Sequence, residues 1–165
     1  MNLGRILAQE LQYEAQSTRK MLERVPDRFD WQPHDKSMKL GRVATHVAEI
    51  PHWTRPIVTQ DELDFAESDY KPASLNEAAQ LVELFDKTVA DSVELLQTAA
   101  DADLMRNWQL RNGEKLLMEM PKAMVVRSMV LNHLIHHRGQ LSVYLRLNDV
   151  PLPSVYGPTA DEQMF

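Results

Sequence analysis

The stretch Asn132-His133-Leu134-Ile135-His136-His137-Arg138-Gly139-Gln140 contains three of the six histidines of this 165-residue chain. It lies within a predicted helix, in which residues four apart stand one turn above each other on the same face. His133 and His137 therefore direct two imidazoles the same way, close enough to share one metal ion. With His133 set at 0°, the helical period places His137 near ~40° among apolar residues, so we predict that the pair lies in the middle of the apolar stripe. His136 falls near ~-60°, at the flank of that stripe.

A third histidine is predicted to point inward from an earlier helix. This helix covers residues 37–59, with the Ser37 side chain as its N-cap. The same period places His46 among the apolar residues of the buried face and His52 on the opposite side. Two prolines follow, which lack the amide N–H of the helix ladder, so we expect a kink or an early end just after His46.

Apolar residues at three- and four-residue intervals predict four amphipathic helices. They cover residues 3–24, 37–59, 74–99 and 121–147. The sequence Ser74-Leu75-Asn76-Glu77 has the form of a capping box for the third helix, and Pro121 suits the first turn of the fourth. The expected fold is all-α, a four-helix bundle that forms a single domain over residues 1–165.

The connections between these helices differ in character. Residues 27–36 are too aromatic for a free linker and are expected to pack over one end of the bundle. Residues 60–73 are acidic and form a long connection. Asn112-Gly113 predicts a short β-hairpin between the third and fourth helices, with a type I′ turn in which both central residues have positive φ. The tail, residues 148–165, is rich in proline and is expected to lie extended on the surface or over a bundle end.

Composition excludes several kinds of site and partner. The chain has no cysteine, so disulfides, thiolate ligands and a cysteine nucleophile are excluded, and a transition-metal site must use imidazole, carboxylate and water. A net charge of -6 without a Lys/Arg cluster argues against nucleic acid as a partner. No run approaches the ~18 apolar residues of a membrane span, and the N-terminus lacks the apolar core of a signal peptide. These features predict a cytoplasmic protein with no membrane partner.

Three inward histidines on two helices of a bundle are the arrangement from which such folds build metal sites. Three neutral imidazoles bind Zn²⁺ or a similar divalent ion at ~2.1 Å and leave one or more positions for water or substrate. The alternative is that each histidine is an ordinary hydrogen-bonded core residue. However, unpaired buried nitrogens would each cost ~1–3 kcal/mol, a cost that a shared cation removes. We therefore predict a divalent transition metal at His46, His133 and His137, with Zn²⁺ favoured and Ni, Mn and Fe as alternatives.

Two charged residues near these histidines receive structural interpretations. Glu49 falls near ~-60° from His46 and is interpreted as a surface carboxylate, with a role as acceptor of an imidazole N–H as the alternative. Arg138 falls near ~140° from His133 and is interpreted as an ion-pair or dimer residue instead of a substrate contact.

A second apolar strip lies on the reverse side of the fourth helix. Met124, Leu131 and Ile135 fall near ~180°, where a four-helix monomer offers little to cover them. We therefore predict a homodimer formed through the fourth helix, with cover by the hairpin as the alternative.

Three sequence motifs, spread along the chain, form one recognisable pattern. They are Ser37-Met38-Lys39-Leu40-Gly41 leading to His46-Val47-Ala48-Glu49, the stretch from His133 to Leu141, and the ending Pro151-Leu152-Pro153-Ser154-Val155-Tyr156-Gly157-Pro158. Over nearly the whole chain, this pattern resembles the DinB/YfiT-like family of metalloenzymes. The resemblance implies an up-down-down-up four-helix bundle, often dimeric, with a metal held by one histidine of the second helix and two of the fourth. By position these are His46, His133 and His137, with His136 and His52 as alternatives.

The resemblance also supplies the leading hypothesis for function. Characterised relatives in the family include transferases that use a low-molecular-weight thiol such as bacillithiol or mycothiol, and a small-molecule substrate of this kind is expected here. A divalent ion would hold the thiol sulfur as thiolate, the form that attacks electrophiles. One alternative is a metal-dependent hydrolase, in which the ion lowers the pKa of bound water toward ~7 and Glu49 or His136 acts as general acid or base. The other is a noncatalytic stress protein that binds a metal or a small ligand.

Overall fold

Residues 2–163 are described by a computed structural model, which is mainly helical with one small sheet. Its elements are α1 (Leu3–Leu22), α2 (Leu40–Glu49), a 3₁₀ helix (Ile50–Trp53), α3 (Thr54–Thr59), β1 (Glu62–Asp64), α4 (Ala78–Thr98), α5 (Asp101–Leu104), β2 (Asn107–Asn112), β3 (Lys115–Pro121), α6 (Lys122–Val125), a π-helical segment (Val126–Asn132) and α7 (His133–Arg146). Met1 and the last two residues of the predicted tail, Met164 and Phe165, lie outside the described residues.

The start of the second helix shows why a predicted cap fails. The helix begins at Leu40 and not at Ser37, and no side chain caps it. Instead, the Leu40 amide donates to the Trp31 carbonyl at 2.7 Å, and the Gly41 amide donates to the Phe29 carbonyl at 3.0 Å. The aromatic connection thus packs against the core, as predicted, and its backbone also takes over the capping of α2.

The third helix also begins later than predicted. It starts at Ala78, with Glu77 as an N-cap whose side chain makes no capping bond, so the predicted capping box at Ser74 is wrong. The Gln80 side chain instead reaches back to accept the Asn76 amide at 3.1 Å. This contact supplies a local partner just before the helix begins.

The second helix ends early, one of the two predicted outcomes: α2 stops at Glu49, and four 3₁₀ residues separate it from α3. Pro51 lies in this segment, where a missing amide N–H interrupts the α-helical ladder. Two buried hydroxyls of α4 bond to carbonyls around the interruption: Thr88 donates to Ala48 at 2.9 Å, and Ser92 donates to Pro51. These two bonds hold α2 and the 3₁₀ segment against α4 through buried polar contacts.

The predicted hairpin is present as β2 and β3, but its turn differs from the prediction. Asn112 pairs with Lys115, so Gly113 and Glu114 are the central residues. Gly113 has a φ of 60°, and Asp149 is the one non-glycine residue with positive φ in the described part of the chain. The type I′ turn at Asn112-Gly113 is therefore wrong, because positive φ at the first central position alone is the type II′ pattern.

A third strand, β1, was not predicted. It lies within the acidic connection and pairs in parallel with β2, with Glu62 opposite Gln109 and Asp64 opposite Arg111. The sheet is held to the helices by Trp108 of β2, which is fully buried and donates its indole N–H to the Pro56 carbonyl at 3.2 Å. The long connection is therefore attached to the helices through β2.

The buried face of the fourth helical stretch is rotated from the predicted one. The π-helical segment has i→i+5 bonds, so a constant ~100° step across it misplaces the residues on either side relative to each other. Within α7 the buried residues are Leu134, Arg138, Leu141 and Leu145. His133 and His137 are half-buried, so the prediction that they lie in the middle of the apolar stripe is wrong. They lie at its edge, each with part of its surface exposed.

The second apolar strip, predicted on the reverse side of the fourth helix, is also changed by this rotation. Leu131 is fully buried within the chain, whereas Met124 is 55% exposed. The expectation that a monomer leaves Leu131 uncovered is therefore wrong. Arg138, which lies on the same side, forms the predicted ion pair: its partner is Glu14 of α1, and both are buried.

Across residues 2–163, the helices lack the combination of length and apolar character that crossing a bilayer requires.

Candidate metal centre

Two neighbouring helices supply the three histidines. His46 lies in the last turn of α2, and His133 and His137 lie in the first two turns of α7, which packs against α2. The Nε2 atoms of His46 and His133 are 3.2 Å apart. The His46 ring centroid is 4.9 Å from that of His133 and 4.5 Å from that of His137. The structure thus brings together the three side chains that the sequence singled out.

Hydrogen bonds at the far side of two rings orient the lone pairs of the group. His133 Nδ1 lies 3.3 Å from the carbonyl oxygen of Met129, and His137 Nδ1 lies 2.7 Å from Gln140 Oε1. With Nδ1 as the donor in both contacts, each Nε2 keeps its lone pair. Two lone pairs therefore face the shared space beside His46, as in metal sites whose ligand rings are fixed by a second hydrogen bond.

The three imidazoles are held in their neutral forms. Burial and the neighbouring His137 and His133 rings lower the pKa of His46 to about 4. Burial also lowers the pKa of His133, against the opposing effect of the Met129 carbonyl. The pKa of His137 is lowered by burial and then by His133. Neutral imidazole is the form that binds metal ions, so the group is ready to bind at neutral pH.

The geometry fits a divalent ion. Two nitrogens at ~2.1 Å from one ion are separated by ~3.4 Å in tetrahedral and ~3.0 Å in right-angled coordination, close to the 3.2 Å observed between His46 and His133. One ligand atom from each of the three residues lies within 4.8 Å of the others. The other ring nitrogen of His46, Nδ1, is buried and has no hydrogen-bond partner among the described residues. The group could therefore hold a divalent metal.

The other candidate ligands stay outside this group. His136 is exposed, and its ring lies 4.9 Å from that of His137 without joining the cluster. His52 is exposed, as its helical position predicts, and lines a separate cavity. Neither alternative is favoured by the geometry.

Glu49 differs from its predicted role. It is 7% exposed, so its interpretation as a surface carboxylate is wrong. Its Oε1 accepts the Ala73 amide at 2.6 Å, and its Oε2 accepts Nη1 of Arg42 at 3.0 Å. Glu49 therefore links the end of the long connection to α2. Its two bonding partners do not include an imidazole N–H.

Two residues beside the histidines were not identified from the sequence. Gln140 orients the His137 ring. Its position three residues after His137 in the same helix is the sequence signal that could have indicated this contact. Arg42 precedes His46 by one turn, and its charge contributes to the lowered pKa of His46 and His137, after burial and the neighbouring imidazoles. Residues four apart face the same side of a helix, so the spacing carried the information.

Comparison with known proteins gives consistent similarities along the chain. The model of the DinB family matches residues 1–163. The uncharacterized protein YrdA of Bacillus subtilis (strain 168) is 28% identical over 160 residues, which cover 92% of this chain and 86% of YrdA. A DinB-like protein from Bacillus cereus ATCC 10987 has a crystal structure that matches with a TM-score of 0.69 at 28% identity, over 91% of this chain and 95% of that one. The DinB-like protein YjoA of Bacillus subtilis has the same fold, with a TM-score of 0.72 at 17% identity, over 90% of this chain and 96% of YjoA.

Proposed function

The chain belongs to the DinB family, and we propose that it is a metal-dependent transferase whose nucleophile is the sulfur of a low-molecular-weight thiol. His46, His133 and His137 are the proposed metal ligands, and Zn²⁺ is the favoured ion, with Ni, Mn and Fe as alternatives. The observation that carries the proposal is the convergence of three neutral imidazoles, with the Nε2 atoms of His46 and His133 3.2 Å apart. A divalent ion bound there supplies the positive charge that keeps a thiol sulfur in its thiolate form at neutral pH.

The residues around the group favour transfer over hydrolysis. In the hydrolase alternative the metal supplies hydroxide, and Glu49 or His136 acts as general acid or base. Glu49, the nearest carboxylate on α2, already accepts bonds from Arg42 and from the Ala73 amide. Thiolate transfer to a chlorinated acceptor needs no such group, because the thiolate has already lost its proton and chloride leaves without one. The absence of cysteine from the chain also fits a nucleophile that comes from a cosubstrate.

The proposed reaction forms a carbon–sulfur bond and releases a leaving group. With a chlorinated aromatic acceptor, the thiolate attacks the ring carbon, the carbon–chlorine bond breaks and chloride leaves. With an epoxide acceptor, the carbon–oxygen bond breaks and the alkoxide oxygen takes up a proton from water. Both reactions are balanced without any oxidant or reductant.

The test is an assay of metal-loaded protein with several thiols and each acceptor, with His133→Ala taken through the same metal-loading procedure as control. Thiol-dependent product that requires His133 supports the proposal. Product formed by water without thiol favours the hydrolase. No turnover with any thiol, together with an unchanged Tm on chelation, favours a noncatalytic binding protein and sinks the transferase.

The proposed architecture is a single domain with a four-helix bundle of up-down-down-up order. The packing of α1 against α4 and α7, and of α2 against the same two helices, supports this arrangement. Parallel second and third helices require a connection that spans the bundle, and residues 60–73 are long enough, at ~45 Å when extended.

We propose a homodimer through the fourth helical stretch, which extends from α6 to α7. Its apolar contact surface is smaller than the strip predicted from the sequence. Met124 is exposed, while Leu131 is covered within the chain. Analytical ultracentrifugation of the wild type and of Met124→Glu tests this: a dimer that persists in the variant excludes this face. A cytoplasmic location stays a prediction of the sequence.

A further inference from the structure

Arg42 and Glu49 lie on either side of His46 on one face of α2. The three residues stand at positions i, i+4 and i+7, which fall within ~60° of one another on a helix. A bond of 3.0 Å from Arg42 Nη1 to Glu49 Oε2 spans the two turns between them. Because His46 projects from the turn in between, the ion pair must lie beside its ring.

The two members of this pair are exposed to different degrees. The Glu49 side chain is 9% exposed and is held by two donors, whereas the Arg42 side chain is 33% exposed. A guanidinium group has five N–H donors in a planar fork, and the bond to Glu49 occupies one of them. Glu49 and the nearby Tyr70 hydroxyl therefore hold the orientation of Arg42, and a fork of five donors still exceeds these contacts.

The charge balance beside the histidines favours an anion. Three neutral imidazoles do nothing to offset a divalent ion, and the charge of Glu49 is matched by that of Arg42. The centre with its ion therefore carries excess positive charge, and a substrate with two anionic groups could neutralise it. The Arg42 fork matches a carboxylate in shape.

Space for the organic part of such a molecule adjoins the ion pair. A cavity of about 220 Å³ lies between the 3₁₀ segment and the long connection. Glu49 and Tyr70 form part of its wall, while Trp53, Pro56 and Leu63 give it an apolar side. Glu49 thus links the wall of this cavity to the face of α2 that carries Arg42 and His46.

We infer that Arg42 binds the carboxylate of the thiol cosubstrate while the sulfur is directed to the three-histidine group, with Glu49 as the residue that positions the guanidinium. This inference rests on the proposed function and specifies its substrate class: a small thiol that carries a carboxylate. Arg42 then determines which thiol is used, and the histidines determine that a thiol is used.

The test measures thiol binding without turnover. The protein is loaded with Co²⁺ and titrated with mercaptopropionate and with mercaptoethanol, two small thiols that differ in the presence of a carboxylate. The sulfur-to-cobalt charge-transfer absorption gives the Kd of each. We expect wild type to bind mercaptopropionate ~10-fold more tightly, and Arg42→Gln to lose that preference while it keeps its affinity for mercaptoethanol.

Control variants separate recognition from a general loss of charge or fold. Arg5 is exposed on α1, so Arg5→Gln makes the same chemical change away from the site and should keep the preference. If Arg42→Gln fails to fold or to load cobalt, the double variant Arg42→Gln/Glu49→Gln decides, because it leaves no uncompensated charge and keeps an acceptor for the Ala73 amide. It should also show no preference.

The outcomes distinguish this inference from the proposed function. The same preference in wild type and in the Arg42 variants overturns the inference, since the carboxylate would then be bound by the ion itself. Equal affinity for both thiols in wild type overturns it as well, while thiol binding stands. No charge-transfer absorption with either thiol overturns the proposed function and, with it, the role of Arg42.

Discussion

His46 Nε2 lies 3.2 Å from His133 Nε2, although 87 positions separate the two residues in the chain. One residue belongs to α2 and the other to α7, so a ligand shared by them joins two helices that are distant in sequence. This contact connects the candidate site to the stability of the fold.

Removal of one histidine should abolish metal binding without unfolding the protein. His133→Ala and His137→Ala each remove one of three converging nitrogens, and two imidazoles hold a divalent ion far more weakly than three. Elemental analysis should find stoichiometric metal in the wild type and much less than one equivalent in either variant, with unchanged far-UV circular dichroism. The matched control is His136→Ala, which should keep full occupancy. Full occupancy in both ligand variants would refute the assignment.

Chelation should lower the thermal stability. An ion that binds only the folded state stabilises it by ~2.7 kcal/mol when its free concentration is 100 times its Kd. We expect Tm, measured by calorimetry, to fall on removal of the metal in the wild type. In His137→Ala, the same treatment should leave Tm nearly unchanged. An equal fall in both proteins would mean that the chelator acts elsewhere.

The metal-free protein should lose stability between pH ~6.5 and ~4. The pKa of His46 is lowered by burial to about 4 in the folded chain, and the pKa values of His133 and His137 are lowered as well. Below the ordinary histidine pKa of ~6.5, the unfolded state therefore binds protons that the folded state does not, which favours unfolding. Below the folded pKa of His46 its contribution is constant again.

The measurement is Tm of chelated protein across this range, for the wild type and for His46→Gln. Carboxylates contribute to the pH dependence of both proteins, so the difference between the two curves isolates the imidazole. The variant should lose less stability than the wild type as the pH falls. Parallel curves would contradict the prediction.

The candidate site was predictable because its geometry is mostly local. The spacing of His133 and His137 lies within one helix, and the inward direction of His46 follows from the apolar residues around it. Their depth was not predictable, because the π-helical segment before His133 changes the helical step. The helical period therefore indicated which histidines converge, but not how deeply they lie in the apolar stripe.

Contacts between polar residues that are far apart in the chain leave no periodic pattern in the sequence. Glu49 bonds the Ala73 amide at the end of the long connection, a contact between residues 24 positions apart. Likewise β1 is stabilised by pairing with β2, from a segment whose acidic composition is typical of a loop. Arg138 was correctly interpreted as an ion-pair residue, but its partner Glu14 lies in another helix and could not be read from spacing.

Two helical glycines should respond in opposite ways to the same substitution. A Cβ at Gly4 would lie 2.1 Å from the Leu96 carbonyl oxygen of α4, so α1 and α4 would have to separate. A Cβ at Gly139 in α7 would meet nothing within 4 Å. Urea unfolding of metal-free protein should show Gly4→Ala less stable by ~1–3 kcal/mol and Gly139→Ala more stable by up to ~1 kcal/mol. A neutral effect of Gly4→Ala would contradict the close packing of these helices.

The ion pair between Arg138 and Glu14 should be the most sensitive polar contact in the fold. Arg138 is 2% exposed and Glu14 is 5% exposed, and Nη1 of Arg138 lies 2.7 Å from Glu14 Oε2. The Tyr156 hydroxyl donates to Glu14 at 2.7 Å and accepts from Arg138 Nη2 at 2.9 Å, which fixes the C-terminal tail to this pair. Loss of one charged partner would leave the other buried without compensation, which costs ~3–5 kcal/mol.

Urea unfolding of three variants tests this. Arg138→Met should lower the free energy of unfolding by several kcal/mol, and Arg138→Met/Glu14→Leu should recover most of the loss, because no charge is then left buried. The control is Lys87→Met, which breaks the exposed pair between Lys87 and Asp91 within one helix and should cost ~0.5 kcal/mol or less. If Arg138→Met costs no more than Lys87→Met, the pair is accessible to water and does not hold the tail to α1 and α7.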